Sequence, residues 1–239
     1  MRIALHLGTL RGHGSASVGQ NILKEIISQG EAHEYFVWMP LEWEKIYGIG
    51  PDSFSSRVKI QQTKPGVIKK LFYENITIRM ALRRFRVNKL FSLGDTTLPA
   101  CPIGHLLLVQ QAHLYLDSSE RDFSVDRRFD LKIKAMKAYF KAALPTVDYV
   151  TVQSHTMAEG LMDRYGISEA KIKIIPSAVC PMMINGADEI ESNHEPLICY
   201  VASAAPHKNH EIIADILYGL RKKMPKLRAK VTVAPSFVP

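Results

Sequence analysis

Short apolar runs alternate with amphipathic stretches from the first residue onward. Arg2 to Leu7 has strand length, and Val18 to Ile27 places Ile22, Leu23, Ile26 and Ile27 at helical spacing. Glu34 to Met39 reads as the next strand, ended by Pro40, and Arg57 to Ile60 as a short third. Val67 to Phe85 predicts a long helix with Val67, Leu71, Ile78, Leu82 and Phe85 on one face. Asn88 to Ser92 and Leu106 to Val109 are predicted strands, and Phe129 to Leu144 is a predicted helix stopped by Pro145. Asp148 to Val152 is a further strand. Ser154 then caps a helix that runs to Tyr165, with Gly166 just beyond it. Lys171 to Ile175 closes the series. This alternation predicts an α/β fold, a doubly wound parallel sheet with ligands at the carboxyl ends of its strands.

Residues 180–196 then turn polar and acidic, the signature of a linker. A new unit follows: strand Leu197 to Val201, helix Lys208 to Lys223, strand Lys230 to Val233. The expected division is a first domain over 1–185 and a second over 186–239. One helix cannot cover both faces of a parallel sheet. The second unit is therefore expected to pack on the first, to complete a partner, or to be the start of something longer.

Composition narrows the class. Of 239 residues, 46% are apolar and 23% charged, which fits a globular chain and not a disordered one. No apolar run approaches the ~18–20 residues that span a bilayer. The opening Met1-Arg2-Ile3-Ala4-Leu5-His6-Leu7-Gly8 lacks the apolar core of a secretory leader. Cys101, Cys180 and Cys199 form no CxxC pair and read as reduced thiols of a cytoplasmic protein. Net charge is +8, and the excess is concentrated: Lys64 to Lys89 holds eight bases against one acid, Glu74. Such a window favours anionic partners. Lys69, Lys70, Arg83, Arg84 and Arg86 interleave with Phe72, Tyr73, Ile76 and Phe85. A solvated helix face, an anionic membrane contact and a nucleic-acid contact all fit that pattern, although no nucleic-acid motif accompanies it.

Three segments at strand ends carry candidate chemistry, the first and third of them strand-to-helix turns. The first runs Gly8 to Gly19 and includes Gly12, Gly14 and Ser17. Glycines there let a ligand approach the backbone, and a helix start favours an anion. Phosphate-loop and dinucleotide patterns both fail, since Gln20-Asn21 and Ser17 stand where they need other residues. A plain tight turn is the other reading. The second is Gln110-Gln111-Ala112-His113, with His113 just past a buried strand, where it can donate to an oxygen or balance charge, or serve the fold alone. The third is Tyr200 to His210, where Lys208 at a helix start suits a diphosphate or is simply exposed. His207 and His210 have no third ligand, so no metal site is expected.

Together these segments resemble family 4 glycosyltransferases. The most specific stretch is Asp148-Tyr149-Val150-Thr151-Val152-Gln153-Ser154-His155, continuing through Arg164-Tyr165-Gly166 to Ile174-Ile175-Pro176-Ser177. Tyr200-Val201 with Pro206-His207-Lys208-Asn209 looks like the turn that opens the family's donor domain. Ser92-Leu93-Gly94-Asp95 with Leu98-Pro99 resembles the loop before its cleft histidine, here His113. The resemblance implies a GT-B fold of two Rossmann-like domains, the second represented by its first βαβ unit. It implies a hexosyltransferase-type reaction that moves a sugar from a nucleotide-diphosphate sugar to a glycan or lipid-linked acceptor, with retention and without a metal or other cofactor. His113 would sit beside the donor sugar, and Lys208 and Ser203 at the diphosphate. The Gly12, Gly14, Ser17, Gly19 loop would face the acceptor, and the basic segment an anionic membrane, in envelope polysaccharide or glycolipid synthesis. There are departures. Ser203 replaces the family's arginine, Leu114 follows the histidine in place of Asp, and the family's Glu-x7-Glu pair is expected further along the donor domain than the 239 residues reach. A donor domain cut short is the expectation. A non-catalytic binding module and a sugar-nucleotide epimerase are the alternatives.

Overall fold

The computed structural model describes residues 1–10, 13–29, 33–47, 58–63, 73–116, 127–176, 195–202 and 208–232. The chain divides into two compact units, with described residues up to Pro176 in the first and from Glu195 in the second. The first unit is built on seven strands: β1 (Arg2–His6), β2 (Glu34–Pro40), β3 (Val58–Thr63), β4 (Lys89–Ser92), β5 (Gly104–Leu108), β6 (Tyr149–Val152) and β7 (Ile172–Ile174). All pairings are parallel, in the order β3-β2-β1-β4-β5-β6-β7. Leu5 of β1 lies opposite Val37 on one side and Phe91 on the other. The order reverses between β1 and β4, and a doubly wound sheet opens a crevice at the carboxyl ends there.

Strand alternation sends Ile3, Leu5 and Leu7 to one face. Two helices cover it, α1 (His13–Gln29) and α2 (Glu42–Tyr47), the second unforeseen from the sequence. Trp43 of α2 packs with Leu5, Leu7, Leu10, Leu23 and Val37, and its indole N–H donates to Leu10 O at 2.9 Å. Ala4, Phe36, Trp38 and Leu90 face the other way, against Ile78 and Leu82. Further along, Leu107, Val150 and Val152 pack with Phe140 of α4 (Arg127–Ala143) and with Met157 and Leu161 of α5 (His155–Tyr165). The expected cap is present. Ser154 Oγ accepts from Met157 N, and Gly166 ends α5 with φ +64°, a left-handed value that favours glycine.

Three expectations need correction. The glycine-bearing turn after β1 is shorter than expected, because α1 already begins at His13, so Gly14, Ser17 and Gly19 are helical. Ala16, Gly19 and Leu23 are buried, so small residues extend the inward stripe upstream of the large apolar ones. The helix over Val67 to Phe85 is not one regular α-helix where it is described. A π-helical turn, Tyr73–Ile78, leads into α3 (Arg79–Arg84), and it coincides with the β-branched run Ile76-Thr77-Ile78, which lowers α propensity. Residues 64–72, with Lys69 and Lys70, lie outside the described residues, as do Gly12 and Ser203. In the second unit, β8 (Leu197–Tyr200) and β9 (Arg228–Val231) pair in parallel around α6 (Glu211–Leu220). α6 starts after Lys208 and not at it, because Asn209 takes a left-handed φ of 44°.

At the amino ends of the strands, Ile3, Lys89, Phe91, Leu106 and Tyr149 line an open groove of about 590 Å³. It lies at the end of the sheet away from the reversal crevice, so it is not the place where this fold positions chemistry.

One buried group makes the core sensitive to pH. His105 is 2% exposed, with Nε2 3.2 Å from Ser92 Oγ and in close contact with Thr97 Oγ1. Burial pushes its pKa from 6.5 down to about 4, against a smaller upward pull from Asp148. Below pH 6.5 the unfolded chain binds a proton that the folded chain refuses. The stabilisation is therefore complete above pH 6.5 and is lost as pH falls toward 4. Urea unfolding of the chain should show a decline of up to about 1.4 kcal/mol per pH unit across that window. His105→Gln should flatten this part of the profile.

Candidate functional site

The carboxyl edge of the first unit brings three loops together. After β1, Leu7 N donates to Trp38 O and Leu10 N to Leu7 O, which turns the chain toward α1. Thr9 Oγ1 donates to Gly94 O, 2.9 Å away, in the loop after β4. A Cβ at Gly94 would collide with Thr9 Oγ1, so this close approach needs glycine. Next to it, Asp95 is buried with φ +56°. Its N–H donates to Leu108 O at the end of β5. Its Oδ1 accepts from Gln110 N at 2.6 Å and Gln111 N at 2.9 Å, and its Oδ2 accepts from Gln111 Nε2 at 3.0 Å. Gln110 Nε2 donates back to Leu93 O. The loops after β4 and β5 are thus joined in both directions.

His113 follows directly, in a short 3-10 turn over Ala112–Leu114. The imidazole is half-buried, and its edge meets the Phe129 ring at 5.6 Å between centroids. The segment leaving the turn is held by two helices. Tyr165 Oη donates to Leu114 O at 2.7 Å, Arg164 Nη1 to Tyr115 O, and Lys137 Nζ to Leu116 O. The Tyr115 ring lies on Gly160, where a Cβ would collide with it. The histidine is thus presented from a turn fixed on both sides, at the edge where this fold places functional groups. There it can donate a hydrogen bond or balance developing charge.

The other expected site residues are dispersed. Gly14 and Ser17 are exposed on α1. Gly19 faces the core, where a Cβ would collide with Leu10 and come within 3.1 Å of Trp43 Cη2, so it serves packing and lines no cleft. Lys208 belongs to the second unit; it is exposed, and its carbonyl accepts from Tyr200 Oη. Arg83, Arg84 and Arg86 are exposed. Arg79, counted in the same basic window, instead bonds to Pro99 O and Ala100 O. Phe85 is stacked on Phe36 at 4.8 Å and is not turned outward as an anchor. Among the described residues no group of three His, Cys, Asp or Glu side chains is placed to hold a metal, and no helix is long and apolar enough to cross a membrane. Sequence reasoning gave Thr9, Asp95, Tyr115 and Gly160 no role. The one local signal was Gly94-Asp95 after a strand end, since Asp tolerates left-handed backbone.

No protein-family model and no curated protein matches the chain in sequence. Solved structures do match in fold. The lipopolysaccharide outer core galactosyltransferase WaaB, in its apo form, superposes with a TM-score of 0.57 at 13% identity, over 99% of this chain and 62% of WaaB. S. aureus MnaA, in a co-structure with UDP, gives 0.56 at 11% identity, over 99% of this chain and 64% of that one. Phytolacca americana UGT2, complexed with UDP-2fluoro-glucose and pterostilbene, gives 0.52 at 13%, over 100% of this chain and 68% of that one. The chain therefore spans less than two thirds of the first two. At these identities the likeness is one of fold: α/β, of the GT-B type.

The packing of Tyr115 on Gly160 can be tested directly. Gly→Ala inside a helix normally stabilises by about 1 kcal/mol. Here the added methyl would have to displace a ring held by its neighbours, and overpacking of this kind costs about 1–3 kcal/mol. Gly160→Ala should therefore lose the usual stabilisation and cost up to about 2 kcal/mol net in urea unfolding. The double variant Gly160→Ala with Tyr115→Leu should recover most of that loss, the signature of a direct contact.

Proposed function

We propose that this chain is the acceptor-side domain and the first part of the donor-side domain of a glycosyltransferase that uses a nucleotide-diphosphate sugar. The observation that carries this reading is His113 on a turn fixed from both sides at the carboxyl edge of a GT-B-type sheet. The ligands of the fold neighbours support the donor class: one is bound to UDP, another to a UDP-sugar. The family 4 resemblance supports retention at the anomeric carbon, a hexosyl donor, and a glycan or lipid-linked acceptor in envelope polysaccharide or glycolipid synthesis.

Protein groups in such a reaction answer to charge. The diphosphate leaves with its negative charge while the sugar gains oxocarbenium character. His113 would donate to a sugar hydroxyl or balance that charge. By the family 4 resemblance, Lys208 would meet the diphosphate. A binding module without turnover is the second reading, favoured by Ser203 where the family carries a cation.

In the enzyme with its donor-side domain complete, incubation with UDP-galactose or UDP-glucose separates the readings. UDP release, faster with an acceptor glycan, is the expected result. Binding without release points to the module, and conversion of the sugar without UDP release points to an epimerase. His113→Ala should cut UDP release by about 100-fold, the scale of one lost electrostatic stabiliser. Its cost in stability should be only about 1 kcal/mol, the scale of one edge-to-face ring contact. Equal losses in both would assign His113 to the fold.

Peripheral association with anionic membranes belongs to the same proposal, supported by the exposed Arg83, Arg84 and Arg86. Each base near an anionic surface contributes about 1 kcal/mol. Replacing the three with Gln should weaken binding to phosphatidylserine vesicles by roughly 100-fold at low salt. Undiminished binding would leave them as a solvated face.

A further inference from the structure

We propose that Asp95 is the positioning residue for His113: its buried carboxylate sets the entry to the turn that carries the imidazole. The role rests on the reading of His113 as the group beside the donor sugar, whereas the clamp is geometry alone. Asp95 is 4% exposed. A carboxylate so far removed from water is costly unless donors surround it. The donors here are the backbone N–H groups of Gln110 and Gln111 and the side-chain amide of Gln111. Those two residues directly precede the Ala112–Leu114 turn. Neither belongs to a strand or helix, so neither N–H has a ladder partner, and the carboxylate takes that place.

The same residue also fixes the start of the segment, because its own N–H donates to Leu108 O. One side chain and one backbone therefore determine where β5 hands over to the turn. The φ of +56° restricts what could stand there to residues that tolerate left-handed backbone, chiefly Gly, Asn and Asp. Of these, only Asp offers two acceptor oxygens. Stabilisation of developing charge depends on placement to about 0.5 Å, so a loose entry to the turn would degrade His113 without removing it.

The test uses the full chain with labelled histidine rings. Asp95→Gly keeps the backbone conformation and removes every side-chain acceptor. Asp95→Asn keeps a carbonyl oxygen for the two backbone amides. In Asp95→Gly, amide exchange at Gln110 and Gln111 should accelerate by about tenfold or more, the equivalent of one lost charged hydrogen bond. The His113 ring resonance should shift and broaden while that of His155, on α5, stays in place. In the enzyme with its donor-side domain complete, UDP release from UDP-galactose should fall about tenfold in kcat with little change in KM, since the loss is one of placement. Asp95→Asn should restore all three readouts to within about threefold. An unchanged His113 resonance in folded Asp95→Gly overturns the proposal. If Asp95→Gly fails to fold, amide exchange in the unsubstituted chain decides: slow exchange at both Gln110 and Gln111 supports the clamp, and exchange at the rate of free peptide at either one overturns the proposal. If the resonance shifts as expected but His113→Ala releases UDP at the wild-type rate, the clamp stands and the functional reading of His113 fails.

Discussion

β1 bonds in parallel to β2 on one side and to β4 on the other, and the candidate site depends on that double pairing. The chain leaves β1 toward α1 on one face, while α3, on the opposite face, precedes β4. α3 enters β4 at its amino end, whereas the loops that leave β1 and β4 meet at the carboxyl edge, where Thr9 Oγ1 donates to Gly94 O. The register holds this in place: Leu5 stands opposite both Val37 and Phe91. A slip of one residue would turn the Leu5 face outward and bring Ala4 and His6 against α1. Buried Leu23 and Trp43 exclude it.

Apolar packing fixes the strands but cannot fix the loops beyond them. At the carboxyl edge the specifying groups are polar and short. Ser92, Asp95, Thr96, Thr97 and His105 are all buried between the end of β4 and the start of β5. Each such group costs desolvation unless its partners are met, and the bonds these groups make leave few alternative arrangements, although His105 Nδ1 is buried without a partner. Thr9 fastens the first loop to Gly94, and Asp95 fastens the second to Gln110 and Gln111. The polar network thus does at the edge what leucines and tryptophans do in the middle of the sheet. Near the amino end of β5, His105 reaches this network through Ser92 and Thr97, and burial favours its neutral imidazole.

These two regimes explain what could be read from residues alone. The strands were legible because parallel strands buried on both faces are apolar runs, and the α5 cap was legible because Ser154 and Gly166 announce it locally. The start of α1 was not, since Ala16 and Gly19 bury a stripe without looking apolar. α2 is six residues long, too short for periodicity to show, though it delivers Trp43 to the core. The Asp95 clamp spans 15 and 16 residues of sequence and exists only because β4 and β5 pair in one register. His113 was placed correctly beyond a strand, but the groups that hold it were long-range and therefore silent. Lys208 was expected on a helix start, and one left-handed residue, Asn209, separates it from α6.

The two units also differ in how firmly they can hold a functional group. In the first, buried clusters lie against both faces of the sheet, and the turn with His113 is tied to β4, β5, α4 and α5. Among the described residues of the second, a two-stranded sheet meets one helix on which Ile213 is buried, while Tyr218 and Val201 are 67% and 80% exposed. Parallel strands draw their stability from burial on both faces, so this pair has little of its own. Lys208 stands on that weaker support, exposed and outside the helix. A charge can be held loosely and still attract a diphosphate, because Coulomb attraction falls slowly with distance. A hydrogen bond that must strengthen as charge develops cannot, because it weakens steeply with misalignment. Under the proposed function the demand for precision falls on His113, in the unit whose buried clusters and tied turn can meet it.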